Sequence, residues 1–347
     1  MAFTANVPTQ KVGVLLINLG TPAAPEPRAV KRYLAQFLSD RRVVELPSVL
    51  WQPILRGLVL RSRPAKSAEA YASIWSAEGS PLAAYTARQA RALSGQLLDS
   101  IIEYGMRYGE PSIERGLDAL IGQGCDRILL APLYPQYSAA TTATALDCAY
   151  KALSRRRAEP AIRTLPPYFA DPAYIDALAV SAGKSLAELA FEPQRIIASF
   201  HGMPERTQRL GDPYRGQCIA TVNRLSAALG REVQVGFQSR FGSARWFEPA
   251  TDTLIEALPG QGISRIAVIM PGFSVDCVET LEEIGIRGRA SFLAAGGSDF
   301  ALLPCLNHSE PGMMMLERLI RRELAGWLPA DRASAAQPGR AVMQVAA

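Results

Sequence analysis

An α/β fold of two similar doubly wound halves, with parallel sheets facing across a cleft, is what three observations predict for this 347-residue chain. Short β-branched and apolar runs alternate with segments of helical spacing, the βαβ pattern of a parallel sheet clothed by helices. One stretch recurs: L-D-A-L-I-G-Q-G-C-D-R-I-L-L-A-P from Leu117 parallels I-E-A-L-P-G-Q-G-I-S-R-I-A-V-I-M-P from Ile255, with one gap. Shorter matches flank it, Gly20-Thr21-Pro22 with Gly202-Met203-Pro204 and Arg107-Tyr108-Gly109 with Arg240-Phe241-Gly242. Two copies of one unit place both sets of C-terminal strand ends at a shared cleft, the edge where open α/β sheets bind ligands.

Residues 1–10 read as a flexible N-terminus, 11–190 as the first half, 191–310 as the second, 311–328 as a C-terminal helix and 329–347 as a disordered tail without an apolar period. In the first half an apolar strand over 12–18 leaves the sheet at Gly20-Thr21-Pro22, and a helix follows near 28–38. Residues 68–98 read as a helix broken at Gly79-Ser80-Pro81, and 101–107 as a strand leading to Tyr108. A helix at 113–120 feeds a strand over 127–131, a basic link at 154–159 precedes a strand at 162–165, and 174–190 is helical. In the second half 195–200 is a buried strand ended by Gly202 and Pro204, and a strand from Arg265 meets a Pro271-Gly272 break before a helical pattern.

His201, one of two histidines in the chain, stands at the end of the 195–200 strand; the other is His308. An imidazole there is a candidate base or metal ligand, or else a histidine hydrogen-bonded at a sheet edge. Asp276 and Glu279 sit in the second break and the first helical turn after it. Glu279 and Glu283, four apart, share a helix face and repel. They form either an acidic ridge or a solvated face favoured by the helix dipole. Residues 41–66 combine Val43, Leu46, Leu50, Trp51, Leu55 and Leu58 with Arg41, Arg42, Arg56, Arg61, Arg63 and Lys66, while Pro47 and Pro53 limit any long helix. Such a stretch suits a lipid interface or an ordinary amphipathic core helix.

The net charge of +5 is unclustered, which excludes a nucleic-acid stripe and leaves carboxylated small molecules and acidic lipid surfaces open. Five scattered cysteines without C-x-x-C spacing fit reduced thiols in a cytoplasmic protein. The N-terminus lacks a secretory pattern and no apolar run reaches membrane-spanning length. Nucleotide motifs fail: Leu178 stands where a phosphate loop ending in Gly183-Lys184-Ser185 needs glycine, and Gly122-Gln123-Gly124 and Gly260-Gln261-Gly262 lack the third glycine of a dinucleotide fingerprint. No G-x-S-x-G elbow is present.

Six segments in order, L-I-N-L-G-T-P from Leu16, G-M-R-Y from Gly105, P-L-Y-P-Q-Y-S from Pro132, S-F-H-G-M-P from Ser199, G-F-Q-S from Gly236 and F-S-V-D-C-V-E-T-L-E-E-I from Phe273, resemble the ferrochelatase family, enzymes that insert ferrous iron into a porphyrin. The resemblance covers about residues 11–328. It implies protoporphyrin IX and ferrous iron as partners, the metal being substrate and not a retained cofactor. By resemblance His201 takes pyrrole protons or ligates iron, and Glu279 and Glu283 form a proton or metal path. Asn18 and Leu19 line the cleft, Arg56 meets a propionate at the mouth, and Arg107 lies on the ring face opposite His201. Tyr108, Trp246 and Phe273 are walls, and residues 41–66 a lip touching an acidic membrane surface. Such roles are what metal insertion demands, because the ring must lose two protons, be bent, and meet a partly dehydrated cation. Some members hold a [2Fe-2S] cluster on closely spaced C-terminal cysteines; none follow Cys305 here, so no cluster is expected. Cys277 stands where some members have a second histidine. A coproporphyrin chelatase, a cobalt chelatase of corrinoid synthesis and a non-catalytic porphyrin or haem carrier are the alternatives.

Overall fold

The computed structural model describes residues 10–242 and 244–328, so the expectations for residues 1–9 and 329–347 lie outside it. Among the described residues, eight strands form two four-stranded parallel sheets. The first contains β1 (Lys11–Gly20), β2 (Ser100–Tyr108), β3 (Cys125–Pro132) and β4 (Ala161–Thr164), in the order β2-β1-β3-β4. The second contains β5 (Arg195–His201), β6 (Val233–Gln238), β7 (Arg265–Ile269) and β8 (Asp299–Leu302), in the order β6-β5-β7-β8. Each half thus uses one strand order, as the repeat requires.

Alternation along the strands explains why the central ones are apolar on both faces. Val12, Val14 and Leu16 of β1 join Ile196, Ala198 and Phe200 of β5 in one core shared by the halves. The helices Pro81–Gln96, Pro172–Ala187, Tyr214–Leu229 and Glu310–Glu323 contribute to that core and lie between the sheets. The intervening Leu15 and Ile17 face the helices Ile113–Gly122 and Thr144–Leu153, and Ile197 faces the outer helices of the second half. The C-terminal helix packs on Pro172–Ala187 and Pro81–Gln96, which ties it to first-half elements.

Ladder register fixes how the halves correspond. Gly20 pairs with Tyr108 and Asn18 with Met106; Phe200 pairs with Phe237 and His201 with Gln238. Met106 N–H donates to Pro111 and Phe237 N–H to Pro249, while the carboxylates of Glu110 and Glu248 each accept from the amide two residues on. Gly20 therefore matches Gly202, as the sequence suggests, and Leu19 matches His201. The pairing of Arg107-Tyr108-Gly109 with Arg240-Phe241-Gly242 is corrected: Arg107 matches Gln238 and Tyr108 matches Ser239. A longer second-half loop between Ser239 and Glu248 produced the false match.

Other expectations shift. Prolines do not stop the helical path after Pro47: the helix Ser48–Ile54 contains Pro53 and runs through a π-helical turn, Leu55–Val59, into the helix Leu60–Ala72. A π turn accommodates a break in the ladder such as the N–H that Pro53 lacks. Strand β6, with two glutamines and a glycine, the four-residue β8 and the weakly amphipathic helix Tyr214–Leu229 escape a periodicity reading.

A candidate active site at the strand ends

His201 closes β5 and is half-buried. Its Nδ1 lies 2.7 Å from the Gly202 carbonyl oxygen. A carbonyl only accepts, so Nδ1 is the donor in this contact, and in the neutral ring Nε2 then carries the lone pair. Gly202 is required beside it: a Cβ there would stand 2.6 Å from the Gln238 carbonyl oxygen. The half-buried Trp246 ring comes within 3.4 Å of that same position and donates its Nε1–H to Phe241 O at 3.0 Å.

Glu279 is the middle residue of the turn Val278–Thr280, which continues as the π-helix Leu281–Gly288. Cys277 caps this turn reciprocally with Thr280. Glu279 borders a pocket formed with Leu19, Thr21, Tyr33, Tyr71 and Ser80 of the first half. Burial raises the Tyr33 and Tyr71 pKa values and the Glu279 charge raises them further, so both stay protonated phenols. Burial and then Glu279 also push up the Cys277 thiol, so it stays protonated.

Glu283 is held by Ser239. Its two carboxylate oxygens accept from Ser239 N–H at 2.8 Å and Ser239 Oγ at 2.7 Å, Ser239 being left-handed at φ 63°. Asp276, 4% exposed, is an anchor and not part of the ridge: Asn307 Nδ2 and Thr280 Oγ1 donate to it at 2.6 and 3.0 Å. Among the described residues no three of His, Cys, Asp and Glu gather closely enough to hold a metal ion. His201, Glu279 and Glu283 are thus brought to one side of the second half without forming one ligand set. Gln238 belongs to the G-F-Q-S segment but carries no sequence signal of a role; its Nε2 donates to the Glu279 carbonyl at 2.7 Å.

On the first-half edge, Leu19 and Phe273 both pack against an apolar cluster of Met106, Val275 and Cys277, so the two strand-end regions touch there. Asn18, expected as a wall, is buried, donating to Thr86 Oγ1 at 3.0 Å and accepting from Leu19 N–H. Tyr108, also expected as a wall, is buried. It is 1% exposed, packed on Tyr33 and Phe37, and donates to Asp40 at 2.9 Å. Arg107 lies over the Tyr108 ring, pairs with Asp40 and donates to Thr144 Oγ1 at 2.8 Å. Burial alone would raise the Asp40 pKa, but bonds from Thr144, the Arg42 amide and Tyr108, with the Arg107 charge, outweigh it and hold the carboxyl below its usual value. No sequence signal marked Asp40.

The lip divides into two sets. Leu55 is 1% exposed and Trp51 donates its indole N–H to Leu38 O at 2.6 Å, so both belong to the lip's own core. Val49 and Leu58, 85% and 65% exposed, face out with Leu46, Leu50 and Ile54, and Arg56 is exposed among them. Glu45 pairs with Arg206 at 3.2 Å and Arg63 lies 4.9 Å over the Phe241 ring, so the lip reaches the second half.

Comparison with known proteins converges with this geometry. Residues 11–324 match the ferrochelatase family model. A protein named ferrochelatase from Bradyrhizobium sp. strain BTAi1 is 51% identical over 328 residues, 92% of this chain and 93% of that protein. Another from Mesorhizobium japonicum is 50% identical over 326 residues, 92% of each chain. Among solved structures, SirB from Bacillus subtilis with Fe3+ superposes with a TM-score of 0.58 at 13% identity, covering 91% of this chain and 97% of that one, a likeness of fold.

Proposed function

Because this chain belongs to the ferrochelatase family and is an enzyme that inserts iron into a porphyrin, we propose that its ring is protoporphyrin IX, its product protohaem, and His201 and Glu279 the groups that carry the reaction. The observation that carries this reading is the His201 imidazole at the strand edge, whose Nδ1 is committed to the Gly202 carbonyl, so that the neutral ring offers Nε2 as its acceptor. A neutral imidazole so fixed accepts a pyrrole proton or ligates an incoming ferrous ion. Glu279 receives the proton or the metal next, and Glu283, on the following π turn, extends the path outward. Sites strung along a helix hand a cation over instead of storing it, which suits a metal that is substrate. Leu19, Phe273 and Trp246 grip the ring, and Arg56 by the mouth offers a guanidinium to a propionate.

Iron is the substrate and no cluster is retained in this reading, since the five cysteines lack C-x-x-C spacing and none follows Cys305. Acid-labile sulfide in anaerobically purified protein should be absent; a stoichiometric amount overturns this part. No helix among the described residues is long and apolar enough to cross a membrane. The exposed Val49, Leu50, Ile54 and Leu58 beside Arg56, Arg61 and Arg63 support peripheral contact of a cytoplasmic enzyme with an acidic bilayer. The ring is tested by anaerobic insertion followed by porphyrin absorbance. Protoporphyrin IX should have the higher kcat/KM; a preference for coproporphyrin would overturn the assignment.

A further inference from the structure

We propose that Gln238 is a positioning residue for the insertion step, holding the helix that bears Glu279 in register with His201. This inference rests on His201 and Glu279 being the reacting pair. Gln238 is 3% exposed, and every polar atom of it that touches the site has a partner. Its backbone is the ladder partner of His201, and its carbonyl accepts the Gly202 N–H at 2.7 Å. Its side chain reaches the other way: Nε2 donates to the Glu279 carbonyl at 2.7 Å. The Glu279 carbonyl only accepts, so the amide nitrogen must face it, and the amide oxygen is left to accept from Ser199 Oγ at 2.7 Å. Thr251 Oγ1, 2.8 Å from Ser199 Oγ, holds that hydroxyl in turn. One buried residue is therefore bonded through its backbone to the imidazole's strand and through its side chain to the carboxylate's helix.

The first half has no such bridge. At the equivalent ladder position Arg107 sends its side chain to Asp40 and Thr144, away from the second half. Gln238 acts through Glu279 and touches no reacting atom, so its contribution is to geometry, where a misplacement of about 1 Å costs on the order of 100-fold in rate.

The test is a double-mutant cycle on the full chain, by anaerobic iron insertion into protoporphyrin IX with thermal melts of each variant. Gln238→Met, similar in length but unable to make either bond, should lower kcat by roughly 30- to 100-fold while leaving the porphyrin KM within about twofold. Adding it to Glu279→Gln should slow that variant by no more than about threefold, because both changes remove one shared contribution. Ser199→Ala, which removes only the bond that orients the amide, should show a smaller kcat loss with the same non-additivity, and it keeps the test usable if Gln238→Met melts early. Wild-type kcat in folded Gln238→Met, or in Ser199→Ala should Gln238→Met not fold, would overturn the inference, as would multiplicative losses in the double variant. Wild-type turnover in Glu279→Gln would instead bring down the site reading beneath it.

Discussion

The two sheet edges share one scaffold and do different work. Leu19 and His201 occupy matching positions, as do Arg107 and Gln238, and Tyr108 and Ser239. On the second-half edge these residues present an imidazole and hold an acidic helix. On the first-half edge an apolar side chain meets the cleft, while the polar pair turns inward to Asp40 and fixes the base of the lip. In the proposed reading the second-half edge carries the chemistry, and the first-half edge contributes only to the grip that Leu19 shares with Phe273 and Trp246.

The contrast breaks most sharply under substitution of the second-half pair. His201→Ala and Glu279→Gln should each lower kcat by about 10²–10⁴-fold, and the double variant should be little slower than either, since groups acting in one step give non-additive losses. Multiplicative losses in the same anaerobic assay would assign the two to separate steps.

First-half changes should act on stability and ring affinity. Asp40→Asn removes the acceptor shared by Arg107, Tyr108 and Thr144 and should cost about 1–3 kcal/mol at neutral pH. The sign of its pH dependence follows from the depressed folded pKa. The stabilisation is complete above the unfolded carboxyl value of about 4 and is lost as pH falls through the folded value, so wild type and variant should converge in acid. Urea melts between neutral pH and acid check this; a constant gap down to the most acidic melt would contradict it.

The smallest effect on stability belongs to the outer lip. Val49, Leu50 and Leu58 changed together to serine should weaken binding to acidic liposomes and raise the porphyrin KM, with stability altered by no more than about 0.5 kcal/mol per site. A large drop in melting temperature with liposome binding intact would show these side chains to be core, as Trp51 and Leu55 are.

Much of this was legible in the sequence, and the gaps have physical causes. Central strands announce themselves through unbroken apolar runs, so β1, β3, β5 and β7 were plain, and with them the location of His201 at a strand end. Strand β6 was not, because a bridging glutamine and a close-packed glycine interrupt its apolar pattern; Gly236 has no room for a Cβ, which would lie 2.7 Å from Thr251 Oγ1. The burial of Tyr108 and Asn18 was not legible because a strand end carries no mark of which way a side chain turns. Asp40 is joined to Arg107 and Thr144 only by the fold, across separations no spacing rule spans. The lip's composition was visible, but not which of its apolar residues face one another: Trp51 and Val49 differ in burial only once a helix and a π turn set their directions.

The division of labour is tested most directly by single-turnover metallation of protein preloaded with protoporphyrin IX, comparing substitutions at the matched positions His201→Ala and Leu19→Ala. If grip and chemistry are so divided, His201→Ala holds the ring within a few-fold of the wild-type Kd yet fails to insert iron, whereas Leu19→Ala binds the ring more weakly and, once loaded, inserts iron at close to the wild-type rate. Near-normal insertion by His201→Ala, or an equal loss at both positions, would contradict that division.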